Sequence, residues 1–149
     1  MEIDNVYDLL CVRGTDKTFA FEFSIVKELC PEMQISKMPC LPSYFAGVCN
    51  YKGEIVPVLS LKEEVYIEKR KVVIIFAYQD YQIGILCYGE PYILNAQSVQ
   101  EIQKPEIEGE SMWAEKKLIQ HDGEIVTVLD IEKIILNLAE YFKGEYLRG

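Results

Sequence analysis

A mostly β chain, a barrel or sandwich in two related lobes closed by one C-terminal helix, is what this sequence predicts. Three observations carry that expectation. Short apolar runs recur at near-regular spacing between turn residues. A nine-residue segment occurs twice, 70 positions apart. Only the last apolar stretch has a helical period.

In chain order, residues 6–13 read as a strand and Gly14-Thr15-Asp16-Lys17 as a turn. Phe19, Phe21 and Phe23 alternate with Ala20 and Glu22, the period-2 pattern of a strand with one buried face. Ile25 to Leu29 continues extended toward a loop holding Pro31, Pro39 and Pro42. Gly47 to Tyr51 is a short strand, Lys52-Gly53 a turn, and Ile55 to Leu59 a further strand. Pro57 has no N–H to give a ladder, so that strand is expected at an edge or interrupted there. Lys62 to Lys71 holds seven charges in ten residues and reads as a solvated connector. Strands at 72–78 and 83–88 follow, joined across Gln79-Asp80. Residues 95–110 read as a polar loop with room for a short strand; strands near 112–119 and at 124–129 flank His121-Asp122-Gly123. Asp130 is placed as N-cap of the closing helix. Ile131, Ile134, Ile135, Leu138 and Phe142 form its apolar stripe, and Gly144 is expected to stop it.

The repeat pairs Gly53-Glu54-Ile55-Val56-Pro57-Val58-Leu59-Ser60-Leu61 with Gly123-Glu124-Ile125-Val126-Thr127-Val128-Leu129-Asp130-Ile131, identical at six of nine positions. It continues into a cap, Asp130 in one copy and a Ser60–Glu63 capping box in the other. Two lobes of about 60–70 residues would each be marginal alone, so they should share apolar surface.

Composition narrows function. The 149 residues carry 15 Lys+Arg against 24 Asp+Glu, a net −9, which repels nucleic acid and anionic membrane surfaces. One histidine, His121, removes multi-histidine metal sites and the usual proton carrier. The five cysteines, Cys11, Cys30, Cys40, Cys49 and Cys87, show no CxxC spacing and read as reduced, buried thiols. A Cys–His pair using His121, or a carboxylate pair of Glu54 and Glu124, is the only enzymatic reading; both sets sit at turns. The start, Met1-Glu2-Ile3-Asp4-Asn5, lacks the positive charge of a signal peptide. The longest uncharged apolar run, Val72 to Tyr78, has seven residues against the roughly 20 of a spanning helix. A soluble, cytoplasmic binding module without cofactor or metal is the expectation.

The stretch from Pro39-Cys40-Leu41-Pro42 through Gly47-Val48-Cys49-Asn50-Tyr51-Lys52-Gly53-Glu54-Ile55-Val56-Pro57-Val58-Leu59-Ser60-Leu61 resembles the signature of the CheW-like family of bacterial chemotaxis, P-x-x-P-x-a-x-G-v-x-N-x-R-G-x-i-x-P-v-x-D-L. The likeness covers roughly residues 6–138. It implies two SH3-like five-stranded β-barrel lobes around a shared core, in one domain over residues 1–149. Lobe 1 is expected at about 15–65 and lobe 2 at about 70–142, with the N-terminal strand a candidate to cross between them. It also implies a non-catalytic adaptor between the cytoplasmic tip of methyl-accepting chemoreceptors and the regulatory domain of the histidine kinase CheA, or a related module in a divergent, non-flagellar two-component pathway.

Carried over by position, Val26 and Glu28 fall in the family's kinase-contacting stretch. Gly47, Asn50, Lys52 and Gly53 fall in its signature turn, where receptor and kinase contacts lie. Ile55 and Val56 complete the partner-binding set; with Val58 they read as core or groove wall rather than direct anchors. Turn geometry alone also accounts for the glycines, and Asn50 also suits a turn's backbone. Lys52 stands where the family has arginine and lacks the bidentate fork. Ser60 replaces the usual aspartate, and Cys87-Tyr88-Gly89 departs from the V-D-x-V of many relatives.

Overall fold

The structure is a computed structural model that describes residues 8–14, 17–61, 70–95, 99–102 and 112–147, with side chains to Lys143. Eleven strands and one helix are described: β1 (Leu9–Arg13), β2 (Thr18–Glu22), β3 (Val26–Pro31), β4 (Phe45–Tyr51), β5 (Glu54–Ser60), β6 (Lys71–Tyr78), β7 (Tyr81–Tyr88), β8 (Tyr92–Leu94), β9 (Gln100–Ile102), β10 (Glu115–His121), β11 (Glu124–Leu129) and α1 (Ile131–Leu147). A single 3-10 turn, Phe23–Ile25, separates β2 from β3, so the expected extended run breaks there. β8 lies outside the strands expected from local pattern, and β10 starts three residues later than expected. Glu63 of the Ser60–Glu63 box and most of the charged connector lie outside the described residues.

The strands form a six-stranded sheet, β8-β1-β2-β11-β10-β9, and a five-stranded sheet, β3-β6-β7-β5-β4. Each sheet takes a hairpin from one half of the chain and its remaining strands from the other. β1–β2 pair with β8 and β11, while β6–β7 pair with β3 and β5. Nor do the described strands make two closed five-stranded barrels: in neither sheet do the edge strands pair along their length. In the five-stranded sheet the reason is local. β3 ends at Pro31, which has no N–H, and Glu32 at φ 57 turns the chain away.

The repeat extends well beyond its sequence signal. β5 runs parallel to β7 with Val58 opposite Gly84, and β11 runs parallel to β2 with Val128 opposite Ala20. Both hairpins turn through two residues at positive φ, Lys52 (51°) and Gly53 (90°), then Asp122 (49°) and Gly123 (77°). That is the backbone of a type I′ turn, whose twist matches the flanking strands. Pro57 is interior after all, with β4 on one side and β7 on the other. Its ladder to β7 begins one residue later, at Val58, so the missing N–H interrupts only that side.

Three apolar clusters follow from the pleat. Leu9, Cys11, Ala20, Ile119, Val126 and Val128 fill one face of the six-stranded sheet. Cys49, Tyr51, Val56, Val58, Val73 and Ile75 fill one face of the five-stranded sheet. The opposite faces meet in a shared core with Leu10, Phe21, Leu59, Ile74, Phe76 and Ile85, and the helix adds Ile131, Ile134, Ile135 and Leu138. The Lys133 amide donates to Asp130 Oδ1 at 3.1 Å, the expected cap. The helix runs past Gly144 to Leu147 rather than stopping there. A glycine only weakens a helix interior, and Phe142 is still held by the ring of Phe45 at 5.7 Å. Of the cysteines, Cys11, Cys49 and Cys87 are buried, Cys30 is half-buried and Cys40 is exposed; all are free.

Candidate functional site

The residues singled out around the signature turn gather at one end of the five-stranded sheet. The β4–β5 turn is held by its own side chain: the Gly53 amide donates to Asn50 Oδ1 at 2.9 Å. A Cβ at Gly53 would meet nothing within 4 Å, so its φ, not space, selects glycine. That turn reaches the opposite edge of the sheet. Tyr51 Oη donates to Glu28 Oε1 at 2.6 Å, joining β4 to β3. Lys52 Nζ lies 3.5 Å from the same oxygen and 5.4 Å from the Tyr51 ring centre, and Lys27 approaches that ring at 5.7 Å. The curl of the sheet therefore brings its unpaired edges together through side chains.

The charges adjust to that geometry. The Tyr51 hydroxyl, with Lys52 and Lys27 nearby, holds the Glu28 carboxyl below the usual carboxylate value. The same hydrogen bond pushes the Tyr51 hydroxyl up, and Lys52 is raised beside Tyr51 and Glu28. A second polar chain runs beside the first. Lys27 Nζ donates to Gln82 Oε1 at 3.0 Å, and Gln82 Nε2 donates to Glu54. Ile55, the next residue along β5, is 67% exposed.

Two of the sequence candidates, Gly47 and Val56, are buried. Val56 is 1% exposed, its side chain inside the sheet's own cluster. Gly47 is buried at φ 145, and a Cβ there would come 2.2 Å from the Ser36 carbonyl oxygen. It lets the 32–44 loop cross β4 where the β4–β5 register shifts. Val26 is half-buried against the shared core, while Glu28, Asn50, Lys52, Gly53 and Ile55 are exposed together.

The other sheet carries a related end. The strand pairings make Thr18 the counterpart of Gln82, and Thr18 Oγ1 donates to Glu124 Oε2 at 2.9 Å as Gln82 does to Glu54. The same equivalence relates Ile55 to Ile125 and Leu29 to Ile93. All four are exposed apolar side chains. Arg13, 4.8 Å above the Tyr92 ring and 3.9 Å from Glu124, supplies the charge there. Sequence reasoning missed Tyr51, Lys27, Gln82, Leu29, Ile93 and Ile125. The repeat itself signalled Ile125; the others depend on pairings between distant segments.

Among the described residues no group of three or more His, Cys, Asp or Glu side chains could hold a metal ion. Glu54 and Glu124, the one carboxylate pair considered for catalysis, sit on different sheets with separate partners. Among the described residues no helix is long and apolar enough to cross a membrane. What the site offers is an exposed aliphatic side chain, Ile55, on the same hairpin as a fixed cluster of charges, chemistry suited to a protein partner.

Known proteins resemble the chain as a whole. The chain is 24% identical over 133 residues to the chemotaxis protein CheW of Thermotoga maritima, covering 87% of each chain. It is 21% identical over 142 residues to the chemotaxis protein CheW of Treponema pallidum, covering 88% of this chain and 83% of that one. The crystal structure of the scaffolding protein TtCheW from Thermoanaerobacter tengcongensis superposes with a TM-score of 0.64 at 16% identity, over 83% of this chain and 88% of that one. Residues 8–139 match the CheW-like domain, and the chain belongs to that family.

Proposed function

We propose that this chain is a non-catalytic chemotaxis scaffold that couples the cytoplasmic tips of methyl-accepting chemoreceptors to the regulatory domain of the histidine kinase CheA. Membership of the CheW-like family supports the reading, as do relatives named as chemotaxis and scaffolding proteins. The observation that carries it onto this chain is the exposed Ile55 beside the fixed Lys52–Glu28–Tyr51 cluster, at the turn where the family signature falls. In this reading Glu28, Asn50, Lys52, Gly53 and Ile55 form the docking end, Val26 borders it, and Gly47 and Val56 shape it from within. The scaffold acts in the cytoplasm, reaches the membrane only through its receptors, and needs no cofactor.

Co-sedimentation tests it. Receptor signalling tips, CheA and this chain should pellet together, and leaving out this chain should leave CheA in the supernatant. A kinase that pellets equally well without it would sink the proposal. One observation favours a narrower partner range. Lys52 is a point charge already engaged by Glu28, where the family's arginine offers a fork. A scaffold that serves a separate, non-flagellar two-component pathway would bind its own kinase and receptors but not those of a flagellar system.

A further inference from the structure

The five-stranded sheet carries a second polar chain outside the docking residues named above. Lys27, Gln82 and Glu54 come from β3, β7 and β5, and Gln82 joins the other two: Lys27 Nζ donates to its Oε1 at 3.0 Å, and its Nε2 donates to Glu54. An ammonium can only donate and a carboxylate can only accept, so the two neighbours fix which way the amide points. Lys27 is the extra residue of a bulge where β3 pairs with β6, a device that re-aims a side chain. β6 lies between β3 and β7, and beside Gln82 it offers only the methyl of Ala77. Lys27 and Glu54 are exposed and Gln82 is half-buried, so a fixed amide presents a cation and an anion at the surface in a set order. The related end of the six-stranded sheet is built otherwise. By the same strand equivalence Thr18 replaces Gln82 and Arg13 replaces Ala77, and Arg13 lies directly against Glu124 at 3.9 Å. There the opposite charges meet; here a glutamine amide holds them apart. Ile55 and Ile125, each next to one of these glutamates, are alike, 67% and 56% exposed.

We propose that Lys27 and Glu54 are specificity-determining residues of the docking end, with Gln82 the positioning residue that holds them in order and apart. The protein that docks there then carries an acidic group set against Lys27 and a basic group set against Glu54. The inference rests on the scaffold function proposed above and adds what tells this end from its relative. An aliphatic side chain alone cannot distinguish two similar ends, since apolar contact is non-directional. Charge order can, because a face that matches one order sets like charges together at the reverse. Gln82 also keeps both side chains in place before the partner arrives, so less rotamer freedom is lost on binding. The amide can serve either order: rotated half a turn, it would accept from a cation at position 54 and donate to an anion at position 27. The order of the charges, rather than the hydrogen bonds, is therefore what a partner reads.

The paired substitution Lys27→Glu with Glu54→Lys uses that freedom. It keeps the net charge and lets Gln82 bond both neighbours, but reverses their order. Full-length wild type and variant are melted by circular dichroism and titrated by calorimetry against the CheA regulatory domain and against receptor signalling tips, at low and at high salt. The expected result is an unchanged melting temperature with at least about tenfold weaker binding of one partner at low salt, a gap that narrows at high salt. Gln82→Leu keeps every charge but releases both side chains, and should bind that partner roughly threefold weaker or worse. Lys27→Arg keeps the order and should bind as wild type does. Should the paired variant not fold, Gln82→Leu decides alone. Either variant, folded and binding both partners as tightly as wild type, overturns the proposal, and so does a loss that salt leaves untouched. Wild type that binds neither partner would bring down the scaffold function on which the inference rests.

Discussion

At the scale of single residues, the candidate site depends on one hydroxyl and one ammonium sharing a carboxylate oxygen. Lys52 is exposed at a turn tip, so Lys52→Glu should leave the melting temperature nearly unchanged, as surface substitutions usually do. It should weaken kinase or receptor binding at least about tenfold, because reversing a rim charge sets like charges against the partner. Titration calorimetry against each partner checks it. Tyr51→Phe removes the donor that lowers the Glu28 pKa, so the Glu28 carboxyl resonance should titrate higher in the variant. The sign for stability follows. A carboxylate with a depressed folded value adds stability above its ordinary value of 4.5, lost as pH falls through the folded value. The melting-temperature gap between wild type and Tyr51→Phe should therefore be widest near neutral pH and close on acidification. A gap that widens in acid would contradict this account. Lys52 was legible in the sequence because the signature names its position. Its Glu28 partner was legible as a residue, but the contact between them was not, since it spans a seam closed by tertiary curl.

Elements show what local pattern can and cannot reveal. The phenylalanine alternation of β2, the two Gly-Glu-Ile-Val turns and the Asp130 cap with its isoleucine stripe were all readable, because each rests on spacing within a few residues. β8 was not readable, being a three-residue edge strand held by β1. Gly47 was readable as a glycine of the signature turn, yet its reason lies in the Ser36 carbonyl crossing β4. Two substitutions separate these cases. Asp130→Ala removes a helix cap and should cost about 1 kcal/mol in urea unfolding, with partner binding retained. Gly47→Ala meets a backbone atom at 2.2 Å at an unfavourable φ and should cost about 2–4 kcal/mol, the sum of overpacking and strain. Equal costs for the two would mean that the 32–44 loop yields easily.

The whole molecule is two intertwined halves rather than two beads. The repeat announced the duplication, but pairing partners are chosen by packing, and no spacing in the sequence says that β2 prefers β11 over β3. A chain divided within the charged connector tests the exchange. Residues 1–65 alone and 66–149 alone should each lack a cooperative unfolding transition, and mixing them should restore one. Two independently folding pieces would contradict that exchange. The same duplication places Leu29 and Ile55 at one end and Ile93 and Ile125 at the related end, so a scaffold of this build presents two similar apolar anchors with different charges around them.

The exchange of strands also sets a timetable for synthesis. Residues 26–88 contain every strand of the five-stranded sheet, so that sheet can assemble while the ribosome is still at work. The six-stranded sheet cannot. β1 and β2 emerge first, but Thr18 bonds Glu124, 106 positions later, and β11 must leave the exit tunnel before β2 has its parallel neighbour. A nascent chain therefore carries the apolar N-terminal hairpin half-covered for most of its translation. That hairpin is where a holding chaperone, or a misdirected copy of the same chain, would find its opening.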